Sequence, residues 1–303
     1  MCGTCGCSDP ANAVTLTDLD KGEQALLRQG AITAAPNHHH HHDHDHPHDH
    51  DHDHHNHDHG HHHDHVHGDH AQGDHVHGPH GEVIALEQAV LAKNDRIADR
   101  NRGWFEGRGV LALNLVSSPG AGKTTLLERT IEALRDRVEI AVIEGDQMTV
   151  NDAERIRSAG ARAVQINTGA GCHLEADMVA EAVKSLDPQA GSLLMIENVG
   201  NLVCPAMFDL GERMKIAVIS TTEGEDKPLK YPHMFRAAEV VVINKIDLAP
   251  HVDFDEALCT ANIRSVNPEA RLFTLSARTG AGMDTWLAFL EDERGEAFGL
   301  AGE

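Results

Sequence analysis

Twenty-three of the chain's 26 histidines fall within residues 38–80, interleaved with nine aspartates and without a single Lys, Arg or Glu. Neutral imidazole ligates nickel, zinc and copper, and neighbouring carboxylates add negative field for a cation. With almost no apolar side chains to bury, ordering such a segment costs chain entropy and gains nothing, so the expectation is a disordered metal-holding tract. A purification tag would be a short run of His alone, which this is not. Protonating all 23 imidazoles would carry the tract from −9 to +14, so its hold on metal should fail as the pH falls through the mid-6 region. Ahead of it, Cys2-x-x-Cys5-Gly6-Cys7 offers three thiolates beside the chain's amino group. Four such donors suit square-planar Ni²⁺, and tetrahedral Zn²⁺ remains open.

A second chemistry lies in the body of the chain. Ser117-Ser118-Pro119-Gly120-Ala121-Gly122-Lys123-Thr124-Thr125 follows an apolar run and opens a helical pattern. Small residues there let backbone N–H groups wrap phosphates at a helix N-terminus. Lys123 should reach the β- and γ-phosphates and the Thr124 hydroxyl should ligate Mg²⁺; Ser117 stands where the pattern opens with Gly, a position that needs only a small residue. Asn244-Lys245-Ile246-Asp247 ends a later strand pattern and reads guanine: the carboxylate accepts from the ring N–H and exocyclic amine, a pair adenine lacks, worth roughly 10⁴-fold in discrimination. Ser276-Ala277-Arg278 resembles the loop that closes over the base. Asp146 and Glu197-Asn198-Val199-Gly200 end two strands between these motifs. There the acids would support Mg²⁺ and the Gly200 N–H would sense the γ-phosphate. The expected activity is slow GTP hydrolysis, since neither an arginine finger nor a water-positioning Gln is evident.

Soft donors recur beside these switches. Cys172-His173 precedes a helix, in the loop after the third strand of the domain, and Cys204 follows Gly200 by four residues. Neighbouring strand ends would bring them together as an incomplete ligand set that a dimer could complete. If the Gly200 N–H holds the γ-phosphate, hydrolysis frees the loop carrying Cys204, and metal affinity should follow the nucleotide. Cys259, beside Leu258 on a helix, reads as core.

The elements that must position these groups alternate in type. Strands are expected at Val110–Val116, Glu139–Ile143, Ala163–Ile166, Leu193–Ile196, Ile216–Ile219, Val240–Ile243 and Arg271–Thr274, short and rich in Val and Ile as buried parallel strands are. Helices fit between them, at Thr124–Arg135, Glu175–Lys184 and Phe254–Val266, the last opened by Asp253 with Glu256 as a capping box. Val83, Leu86, Val90 and Ile97 share a face of a lead-in helix that Gly103 should end. The fold class is therefore α/β: a doubly wound, mostly parallel sheet. Residues 1–37 read as a Cys head and connector, 38–80 as the tract, 81–109 as the lead-in helix and 110–303 as the GTPase domain. Net charge is −23, so no basic face exists for nucleic acid or anionic lipid. The chain carries neither the apolar run of a signal peptide nor a membrane-length window, and the expected location is cytoplasmic.

Taken together, MCGTCGC, the His tract, SSPGAGKTT, GCH, ENVGNLVCP and NKID resemble the HypB family of [NiFe]-hydrogenase maturation GTPases. The likeness covers the Cys head and nearly all of residues 82–295. It implies a GTPase of the SIMIBI class that dimerises with nucleotide and supplies nickel to the hydrogenase large subunit. It also implies cooperation with a HypA-type zinc and nickel metallochaperone, and metal-ligand roles for Cys2, Cys5, Cys7, Cys172, His173 and Cys204. A urease-maturation GTPase is the nearest competitor, disfavoured by the Cys head and the adjacent Cys172-His173. A CobW-type zinc GTPase would carry a dense Cys motif inside the domain, which is missing. A chain that chiefly buffers nickel is a third reading; at roughly four ligands per ion the tract could hold about five ions.

Overall fold

A computed structural model describes residues 14–27, 79–146, 151–169 and 171–298. Cys2, Cys5, Cys7 and the His tract through residue 78 lie outside them, as do the side chains of His80, Val83 and Leu86.

The chain opens with a hairpin, β1 (Val14–Asp18) and β2 (Glu23–Leu27), and continues through the long helix α1 (Pro79–Arg108). There follow β3 (Leu111–Ser117), α2 (Lys123–Leu134), β4 (Ile140–Asp146), α3 (Asn151–Ala159), β5 (Arg162–Asn167), α4 (Ala176–Leu186) and β6 (Leu193–Glu197). The second half runs β7 (Met214–Ser220), α5 (Lys227–Lys230), α6 (Pro232–Ala237), β8 (Val240–Asn244), α7 (Glu256–Val266), β9 (Arg271–Thr274) and α8 (Met283–Phe298).

The nine described strands form one sheet in the order β2-β1-β5-β4-β6-β3-β7-β8-β9, parallel from β5 to β9 and antiparallel at the hairpin. This is the doubly wound architecture expected from the sequence. Alternation along β3 divides its two faces. Leu111, Leu113 and Leu115 pack with Leu126, Leu127 and Ile131 of α2, Ile156 of α3 and Trp286 of α8. On the other face, Ala112 joins Phe105 of α1 and Met178 and Val179 of α4, whereas Val116 joins Phe235 of α6 and Ile263 of α7. Asn114 sits between those two apolar clusters, fully buried.

Four local readings are corrected. Val14–Leu27, read as connector, is the edge hairpin: β1 alternates buried and half-buried residues and pairs with β5 through Thr15–Asp18. Its turn is tied by the Asp18 carboxylate, which accepts from the Asp20 and Lys21 amides. Burial alone would push that carboxyl up, but hydrogen bonds from Ser185 and Lys21 hold it at about 2. Second, Gly103 does not end α1; the helix continues to Arg108 and stops at Gly109, whose φ is +69°. An internal glycine costs about 1 kcal/mol, less than the burial of Phe105 beyond it returns. Third, the cap of α7 is Asp255, in extended backbone, which accepts from the Leu258 N–H at 2.9 Å. Asp253 lies at φ +48° and cannot cap. Fourth, β5 and β6, which precede the two Cys loops, are not neighbours, because β4 lies between them.

Helix α1 is anchored by close backbone approach. A Cβ at Gly211, where φ is +89°, would lie 2.5 Å from the Ala98 carbonyl oxygen. Gly211→Ala should therefore lose about 2 kcal/mol of stability, which for a domain of this size lowers Tm by about 4–8 °C in a thermal melt.

Candidate functional site

The loop after β3 is built to hold a phosphate. Gly120 and Gly122 take φ of +77° and +96°, and a Cβ at Gly122 would come within 2.6 Å of Asn244 Nδ2. α2 then opens at Lys123 with no acidic residue in its first turn, leaving its N–H groups and positive dipole end toward the loop. The Lys123 ammonium is buried and donates to Ser117 Oγ at 2.8 Å. That bond explains why Ser replaces Gly at the loop's opening position: its hydroxyl gives the lysine a partner. Burial lowers the Lys123 pKa, opposed by the charges of Glu197 and Glu144.

The base-side motifs lock onto the same loop. Asn244 Nδ2 donates to Ala121 O at 3.0 Å, while its Oδ1 accepts from the Lys245 and Ala277 amides at 2.7 and 3.1 Å. Lys245, at φ +61°, reaches back to Gly120 O at 2.5 Å. Asp247 accepts from Ser276 Oγ at 2.6 Å, which aligns its carboxylate over the edge of the sheet. Arg278, two residues on, is exposed. Ser118 and Thr125 flank the loop; Thr125 Oγ1 lies 3.4 Å from an Arg155 guanidinium nitrogen.

Acidic groups line the floor. Glu144 of β4 stands directly opposite Glu197 of β6 in the parallel ladder, and both are buried. Glu197 Oε1 accepts from Thr124 Oγ1 at 2.8 Å, whereas Glu197 Oε2 and Glu144 Oε2 have no hydrogen-bond partner. Burial, with Glu197 and Asp146 nearby, pushes Glu144 up to about 9. Burial likewise raises Glu197, opposed by Lys123. Oxygen donors with spare lone pairs, beside a Thr hydroxyl and a phosphate loop, fit a hard divalent cation such as Mg²⁺. Gly200 backs onto the phosphate loop, since a Cβ there would lie 3.1–3.2 Å from Pro119.

The soft donors converge next door. Ligand atoms of Cys172, His173 and Cys204 all lie within 4.8 Å of one another. Cys172 Sγ is 2.9 Å from Cys204 Sγ and 3.5 Å from His173 Nδ1. They meet although β4 separates their strands, because the Cys172-His173 loop crosses the end of β4. Gly145 makes that possible: a Cβ there would come within 2.8 Å of the Leu174 side chain. His173 is buried against Phe208, ring centroids 3.9 Å apart, with Nε2 at 3.8 Å from Glu175 Oε1. Burial lowers His173 to about 4, so the imidazole stays neutral and able to ligate at any ordinary pH. Two thiols and one imidazole suit nickel or zinc and leave a fourth position open.

Residues 111–274 match the family described as CobW/HypB/UreG, nucleotide-binding domain. The chain belongs to this family. It is 61% identical over 209 residues to hydrogenase maturation factor HypB of Rhizobium leguminosarum bv. viciae, covering 69% of this chain and 70% of that one. Identity to HypB of Escherichia coli K12 is 58% over 212 residues, 70% of this chain and 73% of the relative. Among solved structures, HypB of Helicobacter pylori in complex with nickel is similar at TM-score 0.63 and 39% identity, covering 68% of this chain and 97% of that one. HypB of Archaeoglobus fulgidus gives TM-score 0.63 and 40% identity over 67% of this chain and 99% of the other. The HypB resemblance drawn from the motifs is therefore shown. No described helix is long and apolar enough to cross a membrane.

Sequence reasoning passed over Glu144, Glu175 and Asn114. Glu144 had a readable signal, an acid inside an otherwise apolar strand pattern two residues before Asp146. Its raised pKa carries a consequence. The protonated carboxyl contributes fully below its usual 4.5, and that contribution drains away as the pH climbs toward 9. Glu144→Gln should therefore stabilise the nucleotide-free protein by about 2 kcal/mol at pH 8. The gain should disappear near pH 4, as followed by urea unfolding at the two pH values.

Proposed function

We propose that this protein hydrolyses GTP and uses the cycle to hold and release nickel for the maturation of a [NiFe] hydrogenase. The observation that carries it is the convergence of Cys172, His173 and Cys204 on the sheet edge that holds the phosphate loop, with the Glu197–Gly200 segment between them. The relatives named hydrogenase maturation factor, and the one described in complex with nickel, support it.

In this reading the amides of Gly120–Thr125 and Lys123 bind the phosphates, and Asn244, Lys245, Asp247 and Ser276–Arg278 hold guanine. Thr124, Glu197 and Asp146 would hold Mg²⁺, which when bound neutralises the charge developing on the phosphates, and Glu144 joins them. The Gly200 N–H senses the γ-phosphate. In this reading unassisted turnover is slow and a partner stimulates it. Asp247→Asn should weaken GTP at least about 100-fold and GTP's advantage over xanthosine triphosphate should vanish, measured by fluorescent-nucleotide competition.

The three-donor set is incomplete, and the apolar Val203 and Met207 beside Cys204 are exposed. Both features support a nucleotide-dependent homodimer with metal at its seam. A HypA-type metallochaperone and the hydrogenase large-subunit precursor are the proposed partners, and the cytoplasm the proposed location. Zinc competes with nickel for the Cys/His site and for Cys2, Cys5 and Cys7; residues 38–80 serve as the reserve. Cells lacking the gene should lose hydrogenase activity and recover it with excess nickel. No recovery would refute nickel delivery. Deleting residues 38–80 should lower metal tolerance while leaving hydrogenase activity at limiting nickel; loss of that activity instead would make the tract part of delivery.

A further inference from the structure

One buried amide connects the nucleotide floor to both thiol loops. Asn198 follows Glu197, the partner of Thr124, and precedes by two residues Gly200, which backs onto Pro119. Its own N–H is fixed to Leu115 O of β3 at 2.9 Å. Its side chain is almost wholly buried. From it two arms diverge. The first is direct: Asn198 Oδ1 accepts from the Leu174 N–H at 3.1 Å, one residue beyond His173, and from the Val199 N–H at 3.0 Å.

The second arm crosses the polar seam between the two apolar clusters. Asn198 Nδ2 donates to Asn114 Oδ1 at 3.3 Å, and Asn114 Nδ2 donates to Glu212 Oε1 at 2.9 Å. Glu212 Oε1 lies 3.6 Å from Lys215 Nζ, and Glu212 Oε2 accepts from the Leu210 N–H at 2.7 Å. Lys215 Nζ donates to Pro205 O at 2.9 Å and Phe208 O at 3.1 Å. Those carbonyls belong to the residue after Cys204 and to the ring packed on His173. Asn114, Glu212 and Lys215 are all buried.

We propose that Asn198 is a positioning residue that transmits the state of the nucleotide to both loops of the Cys172, His173 and Cys204 site. The inference rests on the reading above, in which GTP occupies one site and nickel the other. Only an amide does the work required: one oxygen serves two backbone N–H groups while the nitrogen donates to Asn114. Water cannot substitute in so closed a place, so a shift of Glu197–Gly200 must either carry Leu174 and Asn114 along or leave buried polar groups unpaired. Both outcomes alter the spacing of the sulfurs.

The test uses the full-length chain with Cys2, Cys5 and Cys7 replaced by Ser, so that thiolate-to-nickel charge-transfer absorption reports only Cys172 and Cys204. Ni²⁺ is titrated against a chelator with GDP or a non-hydrolysable GTP analogue bound; the tract competes equally in both states. The unsubstituted background should show nickel affinities at least about fivefold apart. Asn198→Ala should bring that ratio below about twofold while the absorption band persists in both states. Lys215→Met, which severs only the second arm at constant volume, should at least halve it. A full ratio in folded Asn198→Ala overturns the role of Asn198 and leaves the coupling itself intact. Should that variant fail to fold, an undiminished ratio in Lys215→Met overturns it instead. Equal affinities in the background protein remove the coupling, and the inference with it.

Discussion

Two carboxylates held side by side in the interior set the terms for everything else at this edge of the sheet. Parallel pairing places Glu144 beside Glu197 with one buried lysine for company. Burial raises both acids, the Lys123 ammonium opposing it at Glu197, and each has an oxygen without a hydrogen-bond partner. Those oxygens offer lone pairs to the divalent cation proposed to accompany the nucleotide. Ser117 belongs to the same balance, because its hydroxyl holds Lys123 in place when no phosphate does.

This floor adjoins the thiol loops because the sheet brings the loops of β3, β4, β5 and β6 to one edge. Convergence of the sulfurs is nonetheless not automatic. β4 stands between the strands that lead to Cys172 and Cys204, and the crossing depends on Gly145 having no side chain and on the turn in which Thr168 accepts from the Gly171 N–H. Thr168 in turn donates through its backbone N–H to Asp146 O at 2.9 Å, so the crossing loop is tied to the strand end that carries the third acid. The Cys172-His173 loop is thus tied to the end of β4, with Leu174 packed over Gly145.

Most of the sheet could be read in advance because buried parallel strands are apolar on both faces and need no partner to be recognised. The phosphate-loop motif was legible for a related reason: the positive φ of Gly120 and Gly122 favours glycine wherever the rest of the fold goes. Val14–Leu27 escaped because β1 shows its alternation only over five residues and β2 is almost wholly exposed, so their existence depends on the edge of β5. Glu144 and Asn114 escaped for the opposite reason. A polar residue in an apolar strand gives no periodic signal, and its meaning comes from groups 20 to 100 residues away, as Asn114 does from Glu212. The convergence of Cys172, His173 and Cys204 was anticipated on the wrong geometry, as adjacency of strands rather than a loop crossing over a glycine.

Helix α1 belongs to this arrangement as much as the sheet does. Asn94 accepts from the Ala176 N–H and donates to Asp209 O, joining the segment after His173 to the segment after Phe208. About two turns later Asn101 donates to Ala176 O and Leu210 O, and Arg102 pairs with Asp209. Two buried amides thus staple both thiol-bearing segments to a single helix. Held at one end by α1 and at the other by Asn198, the Cys/His loops have little freedom to move independently of either. Cys172 and His173 lie just before the Leu174 N–H that Asn198 holds, and Cys204 just before the Pro205 carbonyl that Lys215 holds, so on the proposed coupling a displacement beginning at a γ-phosphate would reach the sulfurs and the imidazole through those bonds.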